Sequence, residues 1–420
     1  MRRSFATFTR SIEQRIKDKS ARPIIIPEFQ TTGLRCWPLS SIGNNGYPGG
    51  DGPLEVVHRD KWMEAIDRFR GALQRVHDSL PETHGRPEKV KVALIDDGVR
   101  LDKLHIYFGQ MVEASGLSYY PRGKHTEEPW HNSTHGRGTV MANMIARVNP
   151  WVSLCVMRVH DIPSRDGSRM ITARSAAMAI RAAIGRKVNI ISMSWSILAK
   201  HRENESTIPS GEDSGNSEQD PELEDLRAAI DEAVEAKILI FCSANDDISL
   251  KVTDFLPYQR APKYIFRIGA ADQHGKPDNV SEDFKAMNFY LPGNKVAETE
   301  NPTATTPITY HTGSWVSTAL AAGQASLIIY CATLGKVYYD SVGNKQRAEE
   351  FSRRRDALKE RNYMETAFQS IKFPGWNSPK FPPVWGLFGD ATASIIGTEE
   401  DRVRLEALTS LVHKLSSGIR

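Results

Sequence analysis

Four short stretches carry the residue types that nucleophilic acyl chemistry uses. V-A-L-I-D-D-G-V sets Asp96 and Asp97 at the end of an apolar run that begins at Val90. S-T-H-G-R-G-T-V-M-A-N-M-I, Ser133 to Ile145, brings His135 and Arg137 to the mouth of a helix-like segment. C-S-A-N-D, Cys242 to Asp246, ends a third apolar run with Asn245, an amide able to donate to a developing oxyanion. T-G-S-W-V-S-T-A-L-A-A-G, Thr312 to Gly323, offers Ser314 and Trp315. A carboxylate that orients an imidazole, an imidazole that takes a proton, a hydroxyl that attacks and an amide that steadies the oxyanion form an acyl-transfer site. Each stretch alone also has an ordinary reading, because strands end in polar turns and loop histidines are common.

The elements that must position these groups are legible as alternation. Short Val/Ile/Leu-rich runs stand at Val90–Ile95, Val152–Val159, Val188–Trp195, Ile238–Ala244 and Tyr264–Ala270. Such near-continuous runs mark strands buried on both faces of a parallel sheet. Helical patterns lie between them at Gly138–Arg147, Ile171–Gly185 and Asp225–Ala236. Strand–helix alternation predicts a doubly wound, mostly parallel α/β sheet with helices on both faces. Catalytic groups then belong beyond the carboxyl ends of the strands, where these blocks fall.

The rest of the chain reads as extension and linker. Residues 1–55 become Pro/Gly-rich between Gly43 and Pro53 and form an N-terminal extension. Residues 56–89 hold an amphipathic helix, with Trp62, Ile66, Phe69, Leu73, Val76 and Leu80 at helical spacing, then a polar connector. The sheet domain spans 90–343, with a mobile polar insertion at 200–221. Residues 344–420 make a charged helical C-terminal extension, broken at Asn377–Pro383 and closing on a helix at Glu399–Leu415. The mixed charges of K-Q-R-A-E-E-F-S-R-R-R-D-A-L-K-E-R indicate a solvated face.

Composition narrows the function classes. A formal net charge of +3 over 420 residues gives no support for nucleic-acid or polybasic membrane binding. No run of about 18 apolar residues is present, so no membrane span is expected. The start, M-R-R-S-F-A-T-F-T-R-S, lacks the apolar core of a secretory signal and reads as a solvated basic terminus. Cys36, Cys155, Cys242 and Cys331 are widely spaced and predict free thiols in a reducing, cytoplasmic setting. Asp96, Asp97 and Asp102 do not make a metal-ligand pattern, no metal or other cofactor is expected, and no G-x-G-x-x-G or Walker sequence follows any strand.

Taken together and in order, the blocks resemble those of subtilisin-like serine peptidases over roughly Val90 to Ala332. V-A-L-I-D-D-G is similar to the family's V-A-x-I-D-[ST]-G, with Asp96 at the triad aspartate and Asp97 replacing Ser or Thr. Gly136, Gly138, Thr139 and Ala142 align with G-H-G-T-x-V-A-G, which puts Arg137 in the histidine column. Gly313, Thr318, Ala322 and Gly323 align with G-T-S-M-A-T-P-H-V-A-G, which puts Trp315 in the serine column. Ile190–Ser196, I-I-S-M-S-W-S, is similar to the substrate-lining N-M-S-L-G strand, so the resemblance gives Ser194, Trp195 and Ser196 a substrate-binding place and Asn245 the oxyanion place.

The resemblance therefore implies the fold and argues against its usual activity. A guanidinium stays protonated and is no general base, and an indole has one N–H and no nucleophilic atom. The chain looks like a pseudoprotease, a regulatory module that binds a protein or peptide partner, in the style of intracellular fungal subtilisin-like domains. Asp96 and Arg137, at the places of a hydrogen-bonded pair, are expected to form a charge-assisted bond, with Trp315 projecting into the cleft. The enzyme-class alternative is an active serine endopeptidase using His135 and Ser314, which requires a register slip in both motifs.

Overall fold

The computed structural model describes residues 60–80, 87–104, 107, 111–123, 126–163, 169–199, 220–244, 254–278, 286–299, 308–378 and 380–419. The Gly43–Pro53 stretch, nearly all of the 200–221 insertion, Cys36 and Asn245 lie outside them.

Seven strands form one parallel sheet: β1 (Val90–Asp96), β2 (Glu113–Ser118), β3 (Val152–Arg158), β4 (Ile190–Met193), β5 (Leu239–Ser243), β6 (Ile265–Ala271) and β7 (Phe289–Pro292). Their order across the sheet is β7-β6-β5-β4-β1-β3-β2, and every neighbouring pair is parallel. Alternate residues of each central strand enter different cores. Val92 and Leu94 of β1 join one cluster, and Ala93 and Ile95 join the other. This two-sided burial is why these strands read as unbroken apolar runs.

Two strands escape the sequence pattern, and both are edges. β2 is E-A-S-G-L-S, largely half-exposed, with no β-branched residue. β7 is the four-residue F-Y-L-P. β2 buries little and so carries no apolar run, while β7 is buried at all four residues but too short for periodicity to mark. The run from Val188 to Trp195 is also shorter as a strand, ending at Met193.

Helices cover both faces. α1 (Lys61–Asp78), α2 (Arg137–Val148) and α5 (Ser314–Ser341) pack on one face; α3 (Ala173–Gly185) and α4 (Pro221–Glu235) pack on the other. Past the sheet come α6 (Lys345–Ala357), α7 (Arg361–Ser370), α8 (Leu387–Ile396) and α9 (Asp401–Leu415). In α6 only Ala348 and Phe351 are buried; Lys345, Arg347, Glu349, Arg353 and Asp356 face solvent, while Arg354 donates to the Ser416 carbonyl. α8 was not anticipated from the sequence; its F-G-D-A-T centre gives a weak helical signal.

α5 has the length and apolarity of a membrane-crossing helix, yet its apolar stretch is wholly buried inside the molecule. A helix apolar all round belongs in the middle of a core. Its close approach to α2 depends on Gly323, where a Cβ would sit 2.8 Å from Val148 Cβ.

α1 and the C-terminal helices belong to the same core. Phe69 of α1 meets Phe388 of α8 edge to face at 4.9 Å. Phe368 of α7 stacks among Phe241, Phe266 and Phe289 of three sheet strands. The Asp67 carboxylate of α1 accepts from Arg147 Nε of α2 at 3.1 Å, and Arg70 donates to the Arg147 carbonyl at 2.8 Å, all buried.

Candidate functional site

The carboxyl ends of β1, β4 and β5 and the amino ends of α2 and α5 converge on one region. Asp96 ends β1, is 1% exposed, and accepts the Asp97 backbone N–H at 2.8 Å. Asp97 turns instead toward α2. Its carboxylate accepts from Gly138 N–H, His135 N–H and Ser133 Oγ, each at 2.7 Å, while Ser133 Oγ accepts Gly136 N–H at 2.8 Å. The N-cap residue Gly136 has no side chain to offer, so the strand-end carboxylate caps the helix from outside. Gly138 must be glycine: a Cβ there would lie 2.2 Å from the Gly98 carbonyl oxygen. The sequence reading placed Asp97 only as a substituted column; adjacency to Asp96 and the H-G-R-G string were the signals for its capping role.

Arg137 is the first residue of α2, and its side chain is exposed. The expected Asp96–Arg137 bond is corrected by the geometry. Among the described residues Arg137 forms no ion pair, and its guanidinium carbon lies 5.4 Å from the Trp315 ring centroid. Placed on the outer rim of α2 while Asp96 is enclosed at the strand end, the guanidinium finds the aromatic face first, within ordinary cation–π range.

Trp315 is held from several sides. It is 9% exposed, and its Nε1 donates to the Thr312 carbonyl at 3.1 Å. His311 meets the indole edge-on at 5.7 Å. His311 Nε2 lies 2.9 Å from Glu298 Oε2, and Glu298 Oε1 accepts from Asn143 Nδ2 of α2 at 2.7 Å. Sequence reasoning missed His311, Glu298 and Asn143, since a chain of side chains from three segments leaves no local pattern. Arg137 and Trp315, which the sequence resemblance sets in the histidine and serine columns, therefore lie in cation–π contact at the mouths of the two helices.

The alternative pair is not brought together. His135 Nε2 lies 3.1 Å from Asp161 Oδ2, with the histidine 54% exposed and the aspartate 2%. Thr134 Oγ1 also donates to Asp161, at 3.3 Å. Ser314 is 2% exposed, and its Oγ donates to the Ala244 carbonyl at 2.9 Å. A working base needs hydrogen-bond reach of the hydroxyl it deprotonates, about 3 Å. Here each member is bonded elsewhere. Asp161 follows β3 in the string R-V-H-D, a strand-end signal that the sequence reading did not use.

Past β4, Ser194 and Ser196 are half-buried, and Trp195 is 8% exposed. The Trp195 indole donates to the Ile95 carbonyl at 2.9 Å and belongs to the core on the α3–α4 face. The Trp195 side chain thus supports the end of β1 from behind. The hydroxyls of Ser192 and Ser194 are shielded from solvent and have no hydrogen-bond partner among the described residues. A separate cleft of about 710 Å³, lined by Met287, Phe289, Phe368, Trp376 and Phe381, opens at the amino end of β7, away from this site. Among the described residues no group of three or more His, Cys, Asp or Glu side chains is arranged to hold a metal ion.

Comparison with known proteins bears on this arrangement. No curated protein matches the chain. Solved structures do. A lanthipeptide protease is 17% identical, with a TM-score of 0.49 and 79% of this chain and 96% of that one covered. The epidermin leader peptide processing serine protease from Staphylococcus aureus is 15% identical, with a TM-score of 0.48 and 80% and 83% covered. The nisin leader peptidase from Lactococcus lactis is 15% identical, with a TM-score of 0.45 and 79% and 95% covered. The pattern of the subtilase family, Peptidase_S8, matches residues 88–333, which spans every block of the site and the whole seven-stranded sheet. With that match over more than half its length, the chain belongs to the subtilase family.

Proposed function

We propose that this subtilase domain is catalytically inactive and serves as a regulatory module that holds a protein or peptide. The observation that carries the reading is the 5.4 Å stacking of Arg137 on Trp315, at the two columns where the chemistry needs an imidazole and a hydroxyl. Neither residue can accept a proton from a nucleophile or attack a carbonyl. The fallback groups support the same reading, because His135 is paired with Asp161 and the Ser314 hydroxyl is spent on a buried backbone carbonyl. Loss of triad members leaves only the small residual effects of binding and oxyanion stabilisation.

What remains suits binding. The end of β4, the partly exposed Ser194 and Ser196, and the exposed face of Arg137 offer backbone, hydroxyl and cation to an extended chain. An intracellular location, in the manner of fungal subtilisin-like accessory domains, is part of the same proposal. Its support is that Cys155, Cys242 and Cys331 are buried free thiols, as a reducing compartment favours.

A fluorophosphonate probe tests the reading. No covalent labelling above that of a denatured control is expected. Stoichiometric labelling that disappears in Ser314→Ala and in His135→Ala would instead establish the active-peptidase alternative.

A further inference from the structure

We propose that the cleft between α7 and the start of β7 is a second binding site, one that takes a proline-rich, acidic segment of a partner protein in extended form. It stands apart from the strand-end site and does not depend on how that site is used.

The walls come from three parts of the chain. α7 gives Phe368 and Gln369, the entry to β7 gives Asn288 and Phe289, and the connector after α7 gives Phe373 and Trp376, around about 710 Å³ of space. That volume suits a short segment of chain. Phe368 is buried as a floor, while Phe373 is 40% exposed at the rim and Trp376 is half-buried. Trp385 braces Trp376 edge-on at 4.8 Å, and Phe381 packs against it at 5.8 Å, so the indole stands as a fixed wall. Pre-set aromatic walls are what an extended proline helix docks on, since both sides of the contact are already rigid.

The polar groups of the cleft select what the bound chain must offer. Several acceptors are already engaged. The Met287 carbonyl takes Lys380 Nζ at 2.6 Å, Asn288 Oδ1 takes the Arg267 N–H at 2.8 Å, and the Pro382 carbonyl takes Trp62 Nε1 at 3.2 Å. The Glu365 carboxylate is bound by Arg361. The Trp376 indole N–H, in contrast, is shielded from solvent and has no hydrogen-bond partner among the described residues. A buried donor is normally paired. A site with a spare donor and engaged acceptors suits a chain that brings carbonyls and few N–H groups, and proline is the residue with a carbonyl and no N–H.

Charge at the rim sets the acidic preference. Lys372 lines the cleft, is exposed, and forms no ion pair among the described residues. Lys61, the first residue of α1, holds its Nζ 5.5 Å from the Phe373 ring and 4.4 Å from the Trp385 ring, and likewise has no ion pair among them. Glu365, the one acidic residue of the lining, is held by Arg361. Two ammonium groups without carboxylates therefore flank the aromatic wall, and an acidic side chain in the bound segment complements them.

The experiment uses the full chain and fluorescein-labelled, C-terminally amidated peptides read by fluorescence anisotropy. The probes are repeats of Pro-Pro-Glu, of Pro-Pro-Gln and of Gly-Ser-Glu, all of one length. Saturable binding is expected for the Pro-Pro-Glu peptide, about threefold weaker binding for Pro-Pro-Gln, as exposed ion pairs contribute, and none for Gly-Ser-Glu. Phe373→Ala is expected to weaken Pro-Pro-Glu binding about tenfold. Trp376→Phe, which keeps a ring and removes the N–H, is expected to weaken it about threefold. Lys61→Gln combined with Lys372→Gln is expected to bring the two proline peptides to one affinity while leaving that of Pro-Pro-Gln unchanged. Circular dichroism confirms the fold of each variant, and the exposed lysines give a readout that leaves the core intact. Failure of Pro-Pro-Glu to bind, equal binding of Gly-Ser-Glu, or binding unchanged in Phe373→Ala would overturn the proposal. A dimer seen by sedimentation velocity without peptide, and lost in Phe373→Ala, would assign the cleft to a second copy of the chain and overturn it as well.

Discussion

Single residues decide what this site is able to do. Arg137 and Trp315, proposed to stand in the places of a base and a nucleophile, lie in cation–π contact with each other. The contact itself is modest, since an exposed cation–π pair contributes about 0.5–1 kcal/mol. Arg137→Gln is therefore expected to shift chemical denaturation by no more than that. A loss several times larger would mean that the guanidinium is structural, not a binding group. The register argument has its own test. Arg137→His combined with Trp315→Ser is expected to gain fluorophosphonate labelling above the wild type, while neither single substitution does so. Truncating a buried tryptophan costs about 3–5 kcal/mol, so folding of the double variant is checked by circular dichroism before labelling is read.

Elements set the positions of those residues. α2 starts where it does because Asp97, delivered by the end of β1, accepts the Gly138 N–H of its first turn and fixes the entering loop through His135 N–H and Ser133 Oγ. Asp97→Ala is expected to cost about 2–4 kcal/mol, from the lost cap and the donors left without an acceptor. Urea denaturation measures it, and hydrogen exchange is expected to rise first in the opening turn of α2. Gly138→Ala is expected to be worse tolerated than its size suggests, because the new Cβ would fall 2.2 Å from a backbone oxygen. α5 shows how an element can deceive when read alone. Its composition is that of a membrane helix, and its burial under both α2 and the sheet is what the apolar surface serves.

At the scale of the molecule, α1, the C-terminal helices and one face of the sheet share one core. α1, α7, α8 and α9 all contribute to the cluster that covers the α5 face. Asp67→Ala would leave the buried Arg147 without its carboxylate, at a cost of about 3–5 kcal/mol. Because the pair links α1 to α2, the loss is expected to appear as a lower midpoint of a single unfolding transition measured by denaturant titration. An early, separate transition of α1 would show instead that the extension folds independently of the sheet.

The parallel α/β architecture and the glycine-bearing blocks at the strand ends were legible in the sequence, while the columns given to Arg137 and Trp315 belong to the proposed function. These are local matters: both-face burial makes strands read as apolar runs, and tight strand–helix turns demand glycine at fixed spacing. Only the tertiary structure decided who touches whom. Trp195 turned inward to the Ile95 carbonyl, Arg137 stacked on Trp315 and not on Asp96, and His135 and Ser314 found separate partners. Side-chain direction at a strand end or a helix mouth depends on neighbours brought from distant parts of the chain. The edge strands and α8 stayed hidden for a related reason, since their weakly patterned segments are held by the elements they pack against.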